Sequence, residues 1–473
     1  MNTQDRSISR GSIHARSYMM FIAAMGSIGG LLFGYDTGII ASALTPMSTQ
    51  FGLTTVMEQV VVSSILIGCI FGALGTGALT DRFGRRPVII GVGIVFAVAA
   101  LLCSVTWSIT TLILFRFILG LSVGGASQVI PVYISELASQ SKRGGLVVVF
   151  QLAIIVGILI SSVSGIALIG YESSWRWMIA LGAIPAVILI LAGIILPESP
   201  RYLLRCGKIE MARAVLTKVR EPEEDIDQEI EQIQMIEELD KQNTGTWSEL
   251  FSPRIRPALI AGLGIAILSQ ITGINAIIYY APTILMNAGF EGTSGLWAGL
   301  INSIAILLVT ILNMYLVDKW GRRKILLMFI PLSIAGLLTL AFSFSNGQAS
   351  HPWLTVTGMV CFAAFNGGVI SVALWLIIAE IFPLKVRGKA TSVCAAAVWI
   401  ADLIVSLTTL SLVEALGVRG IFLLYTAISI AAFIFTYCAI PETKGRSLEE
   451  IEESLDRGEF NPLPALLRTK TQR

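Results

Sequence analysis

The chain has 473 residues, 55% of them hydrophobic and only 14% charged, with a mean hydropathy of +0.78. That composition excludes an ordinary soluble globular protein and makes lipid the solvent for most of the chain. A formal net charge of +2 supplies no broad basic field, which argues against nucleic acid as a partner, so the charges matter by position and not by sum.

Runs of about twenty mostly apolar residues are long enough to cross about 30 Å of hydrocarbon as helix, and only helices or closed barrels satisfy the backbone there. Twelve such runs follow one another, at 18–44, 57–80, 87–106, 109–137, 145–169, 176–196, 257–287, 296–317, 324–345, 353–381, 389–415 and 419–440. The first is too long for a signal-peptide core and no small-residue cleavage site follows a short one, so it is expected to remain as a span. Cys69, Cys103, Cys206, Cys361, Cys394 and Cys438 lack the paired spacing of a zinc site or disulfide framework. They read as small packing residues, and no metal is predicted.

Alternate connections carry the cations: Arg82, Arg85 and Arg86, then Lys142 and Arg143, then Lys319, Arg322, Arg323 and Lys324, then Lys385, Arg387 and Lys389. With Arg6, Arg10 and Arg16 ahead of the first span, this asymmetry predicts that both termini and the long central connection lie in the cytoplasm, below an inner or plasma membrane. Within that connection Ile226, Ile230, Ile233, Ile236 and Leu239 recur at three- and four-residue steps, which predicts an amphipathic helix packed on the inner face of the spans.

Short polar motifs recur between the halves at nearly constant offset. Asp-Arg-Phe-Gly-Arg-Arg at 81–86 returns as Asp-Lys-Trp-Gly-Arg-Arg at 318–323. Glu136 with Arg143 returns as Glu380 with Arg387, and Pro-Glu-Ser at 197–199 returns as Pro-Glu-Thr at 441–443. The expected architecture is therefore an all-α membrane protein of twelve transmembrane helices in two six-helix, pseudo-symmetric halves. A tail at 1–17 precedes a first half at 18–198, a helical linker at 199–252, a second half at 253–440 and a tail at 441–473. Parallel repeats of this kind place a substrate site at their interface near the midplane and let the halves rock around it.

The paired loop motifs, the Pro-Glu-Ser-Pro-Arg run, the Pro-Glu-Thr-Lys-Gly run and Gly-Ile-Asn-Ala-Ile-Ile-Tyr-Tyr-Ala-Pro at 273–282 together resemble the sugar porter family of the major facilitator superfamily. The resemblance covers nearly the whole chain. It implies the major facilitator fold and an importer or facilitator of monosaccharides or related polyols working by alternating access. Bacterial proton-coupled members that look like this chain carry an aspartate in the first span, where many passive carriers have a neutral residue. Here Phe-Gly-Tyr-Asp-Thr-Gly supplies Asp36. The resemblance thus favours proton symport, with passive uniport as the alternative. A monomer in lipid is expected, with a proton as coupling ion and no other cofactor.

Counted along the helices, Asp36 lies about eight residues from the outer end of the first span and Arg116 about seven from that of the fourth, which puts both roughly 11 Å deep and permits a pair. A charge inside the membrane is costly unless paired or facing water, and is a functional candidate by default. Arg116 favours an ionised Asp36 and a dry, closed environment favours the protonated form, so a proton would loosen the pair. A pair that only holds helices together is the plainer alternative.

A neutral polyhydroxy ligand asks for amides, which donate and accept, and for aromatic faces over its apolar ring faces. Gln151, Gln270, Asn275, Tyr279, Trp375 and Trp399 match family positions and form the predicted cage. Asp81, Arg85, Glu136 and Arg143, with Asp318, Arg322, Glu380 and Arg387, stand at inner helix ends, where breakable ion pairs would give alternating access a bistable element. The pattern also departs from the family. Ser269 precedes Gln270 where several members have a second glutamine. Val398 precedes Trp399 where glutamine is frequent, and Ser371 and Val372 stand where the tenth span usually has Gly-Pro. The last change predicts a helix less easily broken. Asp402 falls near the midplane as a second titratable group or a contact to a ligand hydroxyl. Inositol-like polyols, pentoses and sugar acids all stay open. A membrane enzyme is disfavoured, since the only histidines, His14 and His351, lie outside the spans and no nucleophile has a partner.

Overall fold

The computed structural model describes residues 17–139, 143–221, 224–242, 246–287, 290, 293–345, 348–446 and 448–460. Within them ten helical stretches are each long and apolar enough to cross a membrane once: Ser17–Phe51, Thr55–Phe83, Arg85–Val105, Ile109–Leu137, Val149–Leu168, Ser174–Ile195, Arg256–Met286, Ser294–Trp320, Arg322–Ser343 and Pro352–Glu380. An eleventh, Lys385–Ala439, runs 55 residues, about 80 Å of helix and far more than one crossing needs. Gly417, with φ 71° and ψ 165°, breaks it into two. The twelve-span reading stands, and the break falls between the last two predicted runs.

The first span passes its predicted end by seven residues, to Phe51. Thr45 to Gln50 is too polar for a hydropathy reading, but Met47 in it is fully buried and Gln50 accepts a hydrogen bond from the Trp175 indole at 2.7 Å. Packing thus carries the helix past the point where its sequence stops looking like a span. Elsewhere the span exteriors expose large apolar side chains such as Phe71, Leu74, Leu101, Ile195, Leu308 and Ile434, a surface that suits hydrocarbon and not water.

By backbone contact the chain divides into two units. One comprises Met1–Asp36, Ile67–Ile158 and Arg176–Asn243, the other Thr37–Leu66, Leu159–Trp175 and Thr244–Arg473. In the first, Gly34 of the first span lies so close to the fifth that a Cβ on it would sit 1.7 Å from the Ile154 carbonyl oxygen. Only a hydrogen on Cα lets those two helices cross there. The connection between the halves adds three helices, Pro200–Arg205, Ile209–Val219 and Ile226–Gln242, around Leu203, Leu204, Ala212, Leu216, Ile230 and Ile233. The predicted amphipathic helix is thus present, with Ile230 and Ile233 on its buried face, while the side chains of Ile236 and Leu239 lie outside the described residues. Arg220, buried at 5% exposure, fixes this bundle to the fourth span: it donates to the Leu137 carbonyl at 2.6 Å and holds Glu229 with two bonds of 2.6 and 2.7 Å.

In the second unit, spans seven and nine to twelve share a core of Ile265, Ile377, Ile378, Phe382, Cys394 and their neighbours. A short helix, Leu448–Asp456, docks Ile451 and Leu455 into it, and Arg254 ahead of the seventh span pairs with Glu452 at 3.0 Å and with Asp456. The segments of spans two and five that belong to this unit are held by hydroxyls and amides. Ser63 donates to Ser406 at 2.9 Å, Ser162 and Ser303 share a bond of 2.9 Å, and Ser411 donates to Gln59 at 2.9 Å.

Candidate functional site

Asp36 and Arg116 are both deeply buried, at 5% and 1% exposure, and lie within electrostatic reach of each other in the first unit. The depth count that paired them needs correcting. With the helix ending at Phe51, Asp36 is fifteen residues from that end, whereas Arg116 is seven from Ile109. Counting residues fails because the helices have unequal overhangs, yet the two side chains still lie within electrostatic reach. Around them the Tyr35 hydroxyl donates to the Met178 carbonyl at 2.7 Å, and Arg176 donates to the Ser104 carbonyl at 2.8 Å. The carboxylate therefore sits in a packed junction of spans one, three, four and six, where a charge is costly without its partner.

The second unit gathers Gln270, Asn275, Tyr279 and Asp402 near a break in the seventh span. Helices Arg256–Ile271 and Ile274–Asn287 are separated by Gly273, whose φ of 92° is left-handed and whose missing Cβ would lie 2.6 Å from the Tyr425 ring. Both facts demand glycine. The break frees local side chains from the helical stack. Gln270 donates to Ser269 at 3.2 Å and accepts from Asn275 at 2.9 Å. Tyr279 donates to one carboxylate oxygen of Asp402 at 3.1 Å, and Asn275 lies within electrostatic reach of that carboxylate. The second oxygen, Oδ1, is buried without a hydrogen-bond partner among the described residues. Gln270 with Asn275 and Tyr279 with Asp402 thus form two neighbouring polar pairs, with an unused acceptor on Asp402.

Trp399, three residues before Asp402 on the same helix, is buried at 7% exposure, while Trp375 on the tenth span is 40% exposed. Gln151 is half-buried on the fifth span and belongs to the first unit. The tenth span departs from expectation. Ser371 and Val372 do continue a regular helix, but the five residues before them, Asn366–Ile370, form a π-helical turn. The irregularity has moved upstream to Gly367 and Gly368.

The charged loops repeat one construction. Gly84 and Gly321, each with φ 95°, turn the chain into the helices that start at Arg85 and Arg322. The first backbone N–H groups of these helices would be orphaned. Glu198 takes those of Arg85 and Arg86 at 2.9 and 3.3 Å, and Glu442 those of Arg322 and Lys324 at 2.8 and 3.3 Å. Arg85 then pairs with Glu136 at 2.8 Å and Asp81 at 3.9 Å, and Arg322 with Glu380 at 3.0 Å and Asp318 at 3.3 Å. Each set closes inside its own unit. Arg387 donates to the Phe382 carbonyl at 3.1 and 3.2 Å. The Arg143 side chain lies outside the described residues. Glu198 and Glu442 carry a role the sequence reading did not assign, although their signal was present: both sit in the repeated Pro-Glu motif.

Residues 20–455 match the model of the sugar (and other) transporter family. The chain is 42% identical over 439 residues to the putative metabolite transport protein YwtG of Bacillus subtilis, covering 91% of this chain and 93% of that one. It is 38% identical to the D-xylose transporter of Levilactobacillus brevis, over 92% and 95% of the two chains. The inward-open structure of the xylose transporter XylE from E. coli superposes with a TM-score of 0.79 at 28% identity, over 92% and 99%. The proton:xylose symporter XylE bound to 6-bromo-6-deoxy-D-glucose gives 0.77 at 28%, over 93% and 99%. Fold, repeats and buried polar groups define a membrane transporter of the major facilitator type. The chain belongs to the sugar (and other) transporter family, whose members are transporters and not enzymes.

Proposed function

We propose that this protein imports a monosaccharide or related polyol together with a proton, by alternating access, across a bacterial inner or plasma membrane with both termini in the cytoplasm. One observation carries the reading: a buried carboxylate, Asp36, lies within electrostatic reach of a buried arginine in one unit, while amides and hydroxyls, with the Asp402 carboxylate among them, flank the seventh-span break in the other. The first arrangement suits a group that exchanges a proton, and the second suits a neutral ligand rich in hydroxyls. XylE, the solved relative that binds a hexose analogue, is itself a proton:xylose symporter, which supports the pairing of the two roles.

In the mechanism a proton reaching Asp36 releases Arg116 from its counter-charge, and the two halves, 18–198 and 253–440, rock about a ligand held by Gln151, Gln270, Asn275, Tyr279, Trp375 and Trp399. The unused oxygen of Asp402 accepts a hydroxyl hydrogen from that ligand. The linker and the charged loops, with Arg143 and Arg387 among them, brace the cytoplasmic ends. The membrane field supplies about 2.3 kcal/mol per 100 mV for each proton, so about 150 mV corresponds to roughly a few hundredfold accumulation.

Asp36→Asn tests this. In vesicles loaded and bathed with D-xylose, D-glucose or myo-inositol, the variant is expected to keep exchange between the two pools and to lose uphill uptake driven by a proton gradient. Accumulation equal to that of the parent chain would remove Asp36 from coupling and leave passive uniport with the same fold as the better reading.

A further inference from the structure

A π-helical turn is rare and widens the helix by one extra residue, and such turns cluster at functional positions. The one at Asn366–Ile370 has a local cause in Gly367 and Gly368, which let the tenth span approach its neighbours. A Cβ on Gly368 would lie 3.0 Å from Val309 and 3.2 Å from the Ile306 carbonyl oxygen, both on the eighth span. In a regular α-helix the carbonyls of Gly368 and Val369 would accept from the residues four further on, and a π turn moves the donor to the fifth. Asn313, on the eighth span and 1% exposed, supplies those carbonyls with an external donor: its Nδ2 lies 3.2 Å from the Gly368 oxygen and 3.4 Å from that of Val369. On the other side of the turn, Asn366 donates to the Thr272 hydroxyl at 3.1 Å, one residue before the seventh-span break at Gly273. The break in the seventh span and the π turn of the tenth are therefore joined.

We infer that Asn313 is a positioning residue for the substrate site. It touches none of the expected ligand contacts and acts through two of the elements that carry them. Its amide stabilises the π turn, which sets the rotation of the following helix and so the direction of Trp375. One residue of helix corresponds to about 100°, so relaxation of the turn to α-helix would re-aim that side chain or force its helix to shift. Through Asn366 and Thr272 the same turn steadies the break that presents Gln270 and Asn275. The tenth span thus keeps a hinge without proline, made from two glycines and an amide borrowed from the eighth span.

The inference rests on the transport reading only for what the site binds, and the two are tested apart. Amide hydrogen exchange on the purified full chain compares the parent with Asn313→Ala and Asn313→Gln, the second of which keeps the donor. Asn313→Ser, too short to reach both carbonyls, stands in if the alanine variant does not fold. The alanine or serine variant is expected to exchange about tenfold faster across residues 366–376 while the third and fourth spans keep parental rates, and Asn313→Gln is expected to return most of that protection. In the same preparations the D-xylose or myo-inositol concentration that half-maximally raises thermal stability should increase about tenfold in the alanine variant and less in the glutamine one. Unchanged exchange at 366–376, or a rise spread evenly over the chain that glutamine does not reverse, overturns the inference. If neither sugar stabilises even the parent, the assignment of the ligand fails, while the exchange pattern still decides the role of Asn313.

Discussion

At the scale of single residues, the function proposed here depends on polar groups that cannot be exchanged for similar ones. Gln270 is the centre of its chain, accepting from Asn275 and donating to Ser269. Gln270→Ala orphans the Asn275 amide as well as removing a ligand contact, so we expect weakened binding by about 1–3 kcal/mol. Titration of thermal stability with D-xylose and myo-inositol measures it, and parental affinity would move the site elsewhere. Glu198 acts on stability instead, because it accepts from the N–H groups of Arg85, Arg86 and Ser199. Glu198→Ala should cost about 1–3 kcal/mol, with Glu442→Ala costing a similar amount, and Glu198→Gln should recover part of it. Thermal unfolding of the three variants reads this directly. The sequence named Asp36, Gln270 and Asp402 because a buried polar residue in an apolar run stands out. It did not reveal that Asp402 is joined to Tyr279, since such a bond depends on the rotation of two helices and leaves no periodic trace.

At the scale of elements, the breaks matter more than the helices. The seventh span divides at Gly273, where a left-handed backbone and the Tyr425 ring both exclude a side chain. Gly273→Ala is therefore expected to lower thermal stability by about 1–3 kcal/mol, and Tyr425→Ala in the same chain to restore only the part due to the ring, since the strain at φ 92° persists. Full recovery in the double variant would show that crowding alone requires the glycine. Helix positions were legible because hydropathy reports burial in lipid. Helix ends were less so: the first span continues through the polar stretch Thr45 to Gln50, held by Trp175. The π turn of the tenth span was missed for a related reason. Its signal, Gly367-Gly368, becomes meaningful only beside an Asn313 that lies more than fifty residues away in sequence.

At the scale of the whole molecule, duplicated motifs produce duplicated construction, with Glu198 and Glu442 serving two loops in the same way. The chemistry differs between the units: among the described residues the Asp36–Arg116 pair lies in the first and the amide pair of Gln270 and Asn275 in the second. In the proposed mechanism this division of labour lets one unit answer to a proton and the other to a neutral ligand, and it makes coupling a property of the whole chain. The most direct measurement is the movement of protons themselves. Purified protein is sealed into vesicles in weak buffer, and external pH is followed as D-xylose, D-glucose or myo-inositol is added. The account predicts alkalinisation outside with a sugar that the parent transports, and none with Asp36→Asn. Transport of that sugar by the parent with no change in external pH would contradict it.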